Sequence, residues 1–193
     1  TGLKPGSGRI VEIAIVKLDT DTGRASKFLD AVVKEDGFVA KERNAWIFKN
    51  SDLTFKKVVS AQPLEKHRKK MQSFFDGHPV TAFNKDFDLG FLRDRGFEFP
   101  QELPCIMKSA TGVCKLYNPY RSGYKWPKVE EAWEFLFPHK PYSERHRAGD
   151  DAIHESKILL KLIETGKYKI PRAKKEKAMK SIRKKKKEKK NCV

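Results

Sequence analysis

The segment RIVEIAIVKL, residues 9–18, constrains the fold more strongly than any other part of the chain. It is almost continuously apolar and rich in β-branched residues, with Glu12 and Lys17 as interruptions, which is typical of a strand buried on both faces. The turn sequence DTDTG follows, and RASKFLDAVVK then has the character of a returning strand. The chain therefore predicts a β-hairpin close to its start.

Helical patterns and short apolar runs alternate over the rest of the chain. Apolar residues at helical spacing predict helices over residues 63–75, 87–96, 126–137 and 148–165. The runs HPVTAFN and PCIMKSA predict two short strands, the second leading into a further helix. Helices placed between strands indicate an α/β fold, and 193 residues fit one domain.

The charge of the chain is strongly basic and unevenly distributed. Lys and Arg number 42 against 25 Asp and Glu, a net charge of +17 that favours polyanionic partners, nucleic acid first and anionic membrane second. Residues 172–193 hold +10 of this charge and almost nothing apolar to bury. We therefore divide the chain into a domain over residues 1–168 and a basic, disordered tail over residues 169–193, which either solubilises the protein or holds a polyanion.

The sequence contains no recognisable membrane or secretory signal, and its cysteines indicate no specific chemistry. No apolar run is long enough for a membrane span, and the first residues lack a secretory pattern. Cys105, Cys114 and Cys192 match no metal-binding spacing, so they are expected to be reduced thiols. These features predict a soluble, cytoplasmic protein without a membrane partner.

Two acidic corners are the candidates for chemistry. In HRAGDDA, His146 precedes Asp151 in the first turn of the last predicted helix, and in FNKDFDL, Asp88 starts the helix that follows a predicted strand. Acidic residues in a first turn often serve only the helix dipole or an N-cap. Strand-to-helix corners can converge in α/β sheets, however, and two carboxylates meeting there suit Mg²⁺ or Mn²⁺.

The order and spacing of these motifs resemble the DEDDh family of 3′-to-5′ exonucleases, which includes the proofreading subunit of bacterial replicative DNA polymerase and ribonuclease T. TGL at the start resembles the end of the family's first motif, FNKDFDLGFL its second and HRAGDDA its third. YKWPKVEEAWEFLF is similar to the segment that often precedes the third. The resemblance implies a ribonuclease-H-like fold, a mixed sheet flanked by helices.

The resemblance also implies roles for individual residues. Asp88 and Asp151 would hold a two-metal site for Mg²⁺ or Mn²⁺, and His146 would be the general base for the attacking water. The terminal nucleotide would be bound near Thr1, Gly2 and Leu3, with Leu3 against a base. Asn84 is counted with these substrate-binding residues, and we expect it to organise the corner that carries Asp88.

The chain departs from the family pattern at the first motif. The Asp and Glu that precede TGL in the family, and the central strand that carries them, do not occur in this sequence. Glu12 lies in the middle of a strand and is not expected to replace them. We therefore expect the chain as it stands to cleave little or nothing, and the hairpin to have one unpaired, apolar edge.

Two functions remain open from the sequence. The first is a divalent-metal-dependent exonuclease that releases mononucleotides from the 3′ end of single-stranded or frayed nucleic acid. The second is a binding module on a degenerate exonuclease fold that holds nucleic acid without cutting it. The preference for DNA or RNA stays open, and so does assembly as a homodimer or with a polymerase.

Overall fold

The structure is a computed structural model that describes residues 1–171. The predicted hairpin consists of β1 (Glu12–Leu18) and β2 (Ala25–Lys34), which pair antiparallel with an irregularity between Ile15 and Val16. In its turn, the side chain of Asp19 accepts hydrogen bonds from the amides of Asp21 and Thr22, and Gly23 adopts a left-handed backbone at φ 72°. The short β3 (Gln62–Pro63) pairs parallel with the end of β2, so the sheet is mixed.

Helices surround this sheet. A 3₁₀ turn (Ala40–Asn44) leads into the short helices α1 (Trp46–Asn50) and α2 (Phe55–Val59). The longer helices are α3 (Glu65–Gly77), α4 (Lys85–Asp94), α5 (Ile106–Cys114), α6 (Val129–Leu136) and α7 (Ala148–Glu164). The predicted α/β arrangement of a mixed sheet flanked by helices is therefore confirmed. Four of these helices, α3, α4, α6 and α7, match the periodic segments of the sequence.

The apolar residues form three clusters. One joins α5, α6 and α7 around Ile158 and Leu162, and a second joins the hairpin to α3 and α4 around Met71 and Phe75. The third lies under α1 and α2 around Val58. Because α7 also packs against both β1 and β2, it connects the sheet to the helical cluster, and its first turn is held in a defined position.

Three details differ from the sequence predictions. Ile13 is the one buried residue of β1 and the others are partly or fully exposed, so the strand is not buried on both faces. Its edge opposite β2 lines a cleft. HPVTAFN forms a single parallel bridge, between Val80 and Glu102, instead of a strand. PCIMKSA is helical from Ile106. Prolines at residues 79 and 104 lack the N–H groups that a longer ladder would need.

Two further predictions concern the ends and surroundings of the chain. Most of the predicted basic tail lies outside the described residues, and the domain boundary at residue 168 stays a prediction. None of the helices within residues 1–171 combines the length and apolar character that a membrane crossing requires.

Candidate active site

A cleft of about 790 Å³ lies between the edge of β1 opposite β2 and the segment over residues 78–82. Helices α4 and α7 both present acidic side chains to it. The polar residues that line this cleft include Thr1, Glu12, Asp88, Glu144, His146, Asp151 and Glu155. The two sequence-predicted acids and the predicted base therefore share one cavity.

Asp88 reaches the cleft from the first turn of α4. Its amide donates to the carbonyl of Asn84 at 3.1 Å, which fixes the backbone of this first turn. Solvent reaches the carboxyl from the cleft, but protein surrounds it closely enough that desolvation raises its pKa to about 6. Asp88 is thus a carboxyl whose charge is poorly compensated within the protein.

Asp151 occupies the equivalent position in the first turn of α7. Its amide donates to the carbonyl of Arg147 at 2.9 Å, and its Oδ1 accepts a hydrogen bond from the Tyr142 hydroxyl at 3.3 Å. Burial raises the pKa of Asp151 to about 6, and the nearby carboxylate of Glu144 adds to this effect. The environment again disfavours the charged form.

Glu155 is an acidic residue that the sequence analysis missed. It lies one helical turn after Asp151 and therefore on the same face of α7. Burial raises its pKa well above the usual value, and repulsion from the carboxylates of Asp88 and Asp151 raises it further. Glu155 is therefore close to both predicted metal ligands, and the i, i+4 spacing from Asp151 was the signal that could have identified it.

His146 lies just before α7 beside a second missed acid. One ligand atom from each of Glu144, His146 and Asp151 falls within 4.8 Å of the others. The imidazole Nδ1 is 3.7 Å from a carboxylate oxygen of Glu144, and the ring packs edge to face against Trp46 with centroids 4.7 Å apart. The backbone of His146 is left-handed, at φ 53°. This conformation turns the chain sharply before the helix begins.

Glu12 holds the start of α7 from β1. Its buried carboxylate accepts hydrogen bonds from the guanidinium of Arg147 at 2.6–3.1 Å and from the amide of Ala148 at 3.0 Å. Arg147 also pairs with Asp52. Because Arg147 follows His146 directly, this network fixes the turn that carries the imidazole. Glu12 thus acts here as a structural partner of Arg147.

The residues predicted to bind substrate are dispersed. Thr1 and Gly2 line the cleft, and the Thr1 hydroxyl accepts a hydrogen bond from the amide of Arg9 at 3.1 Å. Leu3 is 86% exposed. Within residues 1–171 the lining of this cleft includes neither Leu3 nor Asn84, whose carbonyl instead accepts the first amides of α4. The roles predicted for these four residues stay predictions.

The donor set suits a hard divalent cation. Glu155 is repelled by the carboxylates of Asp88 and Asp151, and Asp151 is repelled by the carboxylate of Glu144. A cation bound by these oxygens would relieve the repulsion. Mg²⁺ and Mn²⁺ prefer oxygen ligands of this kind. The same residues could therefore hold a metal ion beside an imidazole able to accept a proton.

Known proteins that are similar to this chain are exonucleases. The exonuclease family model RNase_T matches residues 1–159. The 3′-5′ exonuclease DinG of Bacillus subtilis (strain 168) is 27% identical over 171 residues, which are 85% of this chain and 17% of that protein. The chain thus spans less than a fifth of the length of this curated relative.

A solved structure supports the fold. Exonuclease X in complex with 5′ overhanging duplex DNA superposes with a TM-score of 0.59 at 21% identity, covering 87% of this chain and 89% of that one. The likeness confirms the ribonuclease-H-like architecture that the motifs imply. Since the family model covers most of the sequence, including both acidic corners and His146, the chain belongs to the RNase_T exonuclease family.

Proposed function

We propose that this chain forms part of the catalytic domain of a divalent-metal-dependent exonuclease that hydrolyses phosphodiester bonds at the 3′ end of single-stranded or frayed nucleic acid and releases mononucleotides. The observation that carries the proposal is the convergence of Asp88, Asp151 and Glu155 with His146 on one cleft of an exonuclease-family fold. The 3′-5′ polarity follows that of the Bacillus relative, which is named a 3′-5′ exonuclease.

Asp88 and Asp151 are the residues that we propose as ligands for Mg²⁺ or Mn²⁺. When bound, the metal would supply positive charge that neutralises the phosphate oxygens as the bond breaks. The two aspartates hold their carboxyl groups at helix starts, where the backbone limits their movement. The raised pKa of both groups supports this role, since a cation would restore the charged form.

His146 is the residue that we propose as general base. An imidazole whose Nδ1 faces the Glu144 carboxylate uses Nε2 to accept the proton of the attacking water. The negative charge of Glu144 would then stabilise the imidazolium that forms. The positions of Trp46 and Arg147 support the proposal, because they restrict the ring and the turn that carries it.

The test uses the full natural protein and one single strand labelled at its 3′ end. We expect release of labelled mononucleotide that EDTA abolishes and that Asp151→Asn lowers by at least 100-fold. Glu164→Gln, which changes an exposed acid at the far end of α7, is the matched control and should retain full activity. Circular dichroism of each variant establishes that the fold is intact.

Two results would contradict the proposal. Cleavage that persists in EDTA, or that survives Asp151→Asn, would show that the chemistry takes place elsewhere. Retained binding of the strand without any cleavage by the natural protein would favour the second function, a module that holds nucleic acid without cutting it.

A further inference from the structure

The segment between α5 and α6 exposes an unusual number of aromatic rings. Its sequence is KLYNPYRSGYKW, and we call residues 115–126 the aromatic loop. Tyr117 is 80% exposed, Tyr120 94%, Tyr124 47% and Trp126 54%. Large aromatic side chains contribute strongly to cores and interfaces, so a cluster of four at the surface indicates a binding function.

The aromatic loop is held in a defined shape. The side chain of Asn118 is buried and accepts a hydrogen bond from the amide of Tyr120 at 3.0 Å. The amide of Lys125 donates to the carbonyl of Leu116 at 3.0 Å, and Tyr117 and Tyr124 form an antiparallel bridge. The rings are therefore presented on an ordered backbone, which lowers the entropy lost when a partner binds.

The charge around these rings selects an anionic partner. Between Cys114 and Val129 the chain carries Lys115, Arg121, Lys125 and Lys128 and no acidic residue. Lys125 pairs with Glu131 of α6, so Lys115, Arg121 and Lys128 are the cations that a partner would meet. The Arg121 guanidinium lies 6.0 Å from the centre of the Trp126 ring, within reach of a cation–π contact. Aromatic rings interleaved with cations are the arrangement that binds single-stranded nucleic acid, since bases stack on the rings and phosphates meet the cations.

One lysine places the aromatic loop on the same side of the molecule as the start of α4. The Nζ atom of Lys108 is 2.6 Å from the carboxylate of Asp86 and 5.9 Å from the centre of the Trp126 ring. Asp86 belongs to the first turn of α4, which also carries Asp88. A strand bound on the loop would therefore pass beside the helix start that contributes an acid to the cleft.

We propose that the aromatic loop is a stacking platform for single-stranded nucleic acid, with Tyr117 and Tyr120 as the rings on which bases stack. The proposal rests on the proposed exonuclease function for the identity of the strand, which would be the substrate on its way to the cleft. Stacking is tolerant of base identity, so this surface contributes affinity for single strands without reading their sequence.

The test measures binding in EDTA, so that it does not depend on cleavage. Two fluorescent oligonucleotides of equal length are compared by anisotropy, one with bases and one in which abasic sites occupy the central positions. We expect the natural chain to prefer the strand with bases, and Tyr120→Ala to weaken binding to that strand about fivefold or more. Adding Tyr117→Ala should remove the remaining preference, while binding to the abasic strand stays unchanged.

Two controls separate stacking from other effects. Tyr120→Trp keeps a flat ring and should retain the preference for bases. Phe135→Ala removes an aromatic ring that is 52% exposed on α6, outside the loop, and should have no effect. Because Tyr120 is almost fully exposed, its substitution is not expected to disturb folding, and melting curves check this.

Three results would overturn the proposal. Equal loss of affinity for both strands would show that the tyrosines do not stack on bases, and unchanged binding in the double variant would show that the loop is not involved. If the tyrosine variants change self-association in sedimentation but bind the oligonucleotides as the natural chain does, the loop is a protein-docking surface. Hydrolysis of a dinucleotide by the full natural protein is measured separately. If it is retained, the exonuclease function stands even when the loop proposal fails.

Discussion

Asp151 and Glu155 are half-buried carboxyl groups, and the carboxyl of Asp88, although its residue is exposed to solvent, also has protein packed around it. Their pKa values are raised mainly by desolvation, and Glu155 also senses the charges of the other two. In the folded state such a group holds its proton more tightly than in the unfolded chain. It therefore contributes stability at low pH, and this contribution is lost as the pH rises through the folded-state pKa.

Asp151→Asn should stabilise the metal-free protein at high pH only. An unfolded aspartate titrates near pH 4, and the folded group near 6. The wild type should therefore lose stability between about pH 4 and pH 6 because the charged form is disfavoured, while the neutral amide avoids this loss. We expect the variant to be more stable by about 1–3 kcal/mol at pH 8 and equal to the wild type at pH 4.

Urea unfolding at the two pH values checks this prediction, with Glu164→Gln as the control at an exposed position of α7. Added Mg²⁺ should stabilise the wild type more than Asp151→Asn, since the variant lacks one proposed ligand. An equal effect of the substitution at pH 4 and pH 8 would contradict the assignment of the raised pKa to this residue.

At the scale of elements, the first turn of α7 packs against both strands of the hairpin. Glu12 of β1 binds Arg147 and the amide of Ala148, while β2 approaches the helix at Gly149. A methyl group on Gly149 would collide with the carboxylate of Asp30. This glycine thus allows β2 to lie against the turn that carries Asp151.

Gly149→Ala should destabilise the fold and reduce activity together. We expect a loss of about 1–3 kcal/mol from the overpacked contact, and adding Asp30→Ala should recover most of it. Gly112→Ala is the matched control, because Gly112 is also helical but has open space where the methyl would lie. That change should stabilise the protein by about 0.5–1 kcal/mol. Thermal melts of the three variants and the wild type test the prediction, and similar effects of Gly149→Ala and Gly112→Ala would contradict it.

The sequence predicted those elements whose pattern is local. The hairpin and helices α3, α4, α6 and α7 carry their own periodicity and turn residues, and the acidic first turns at Asp88 and Asp151 could be read with them. The short turns over residues 40–59 have no such period. The strand predicted at HPVTAFN was wrong because pairing depends on partners that are distant in sequence. Glu144 was missed for the same reason, since only the fold brings it to His146.

At the scale of the whole molecule, charge is divided between the domain and its extension. Residues 172–193 hold +10 of the net +17, and they lie outside the described residues. The aromatic loop adds cations of its own within the domain. Binding of nucleic acid should therefore have an ionic part, dominated by the extension, and a stacking part, supplied by the loop.

Removal of residues 172–193 should weaken binding of a single strand and flatten its salt dependence. Each phosphate contact that is lost lowers the slope of log K against log salt by about 0.7 for single strands. Anisotropy titrations at salt concentrations from about 50 to about 300 mM provide the slope. A Gly/Ser segment of equal length is the control for chain length. An unchanged slope would assign the extension a solubilising role, and Tyr120→Ala should leave the slope as it is.

Because the backbone at His146 is left-handed, selection for stability alone and selection for catalysis favour different residues at that position. Any residue with a side chain has a less favourable conformational free energy there than glycine, by about 1 kcal/mol. Random mutation filtered only for folding would therefore drift toward glycine at this site. If His146 is the general base, as we propose, relatives that cleave nucleic acid should keep histidine at this position, and relatives that only bind it should more often have glycine there.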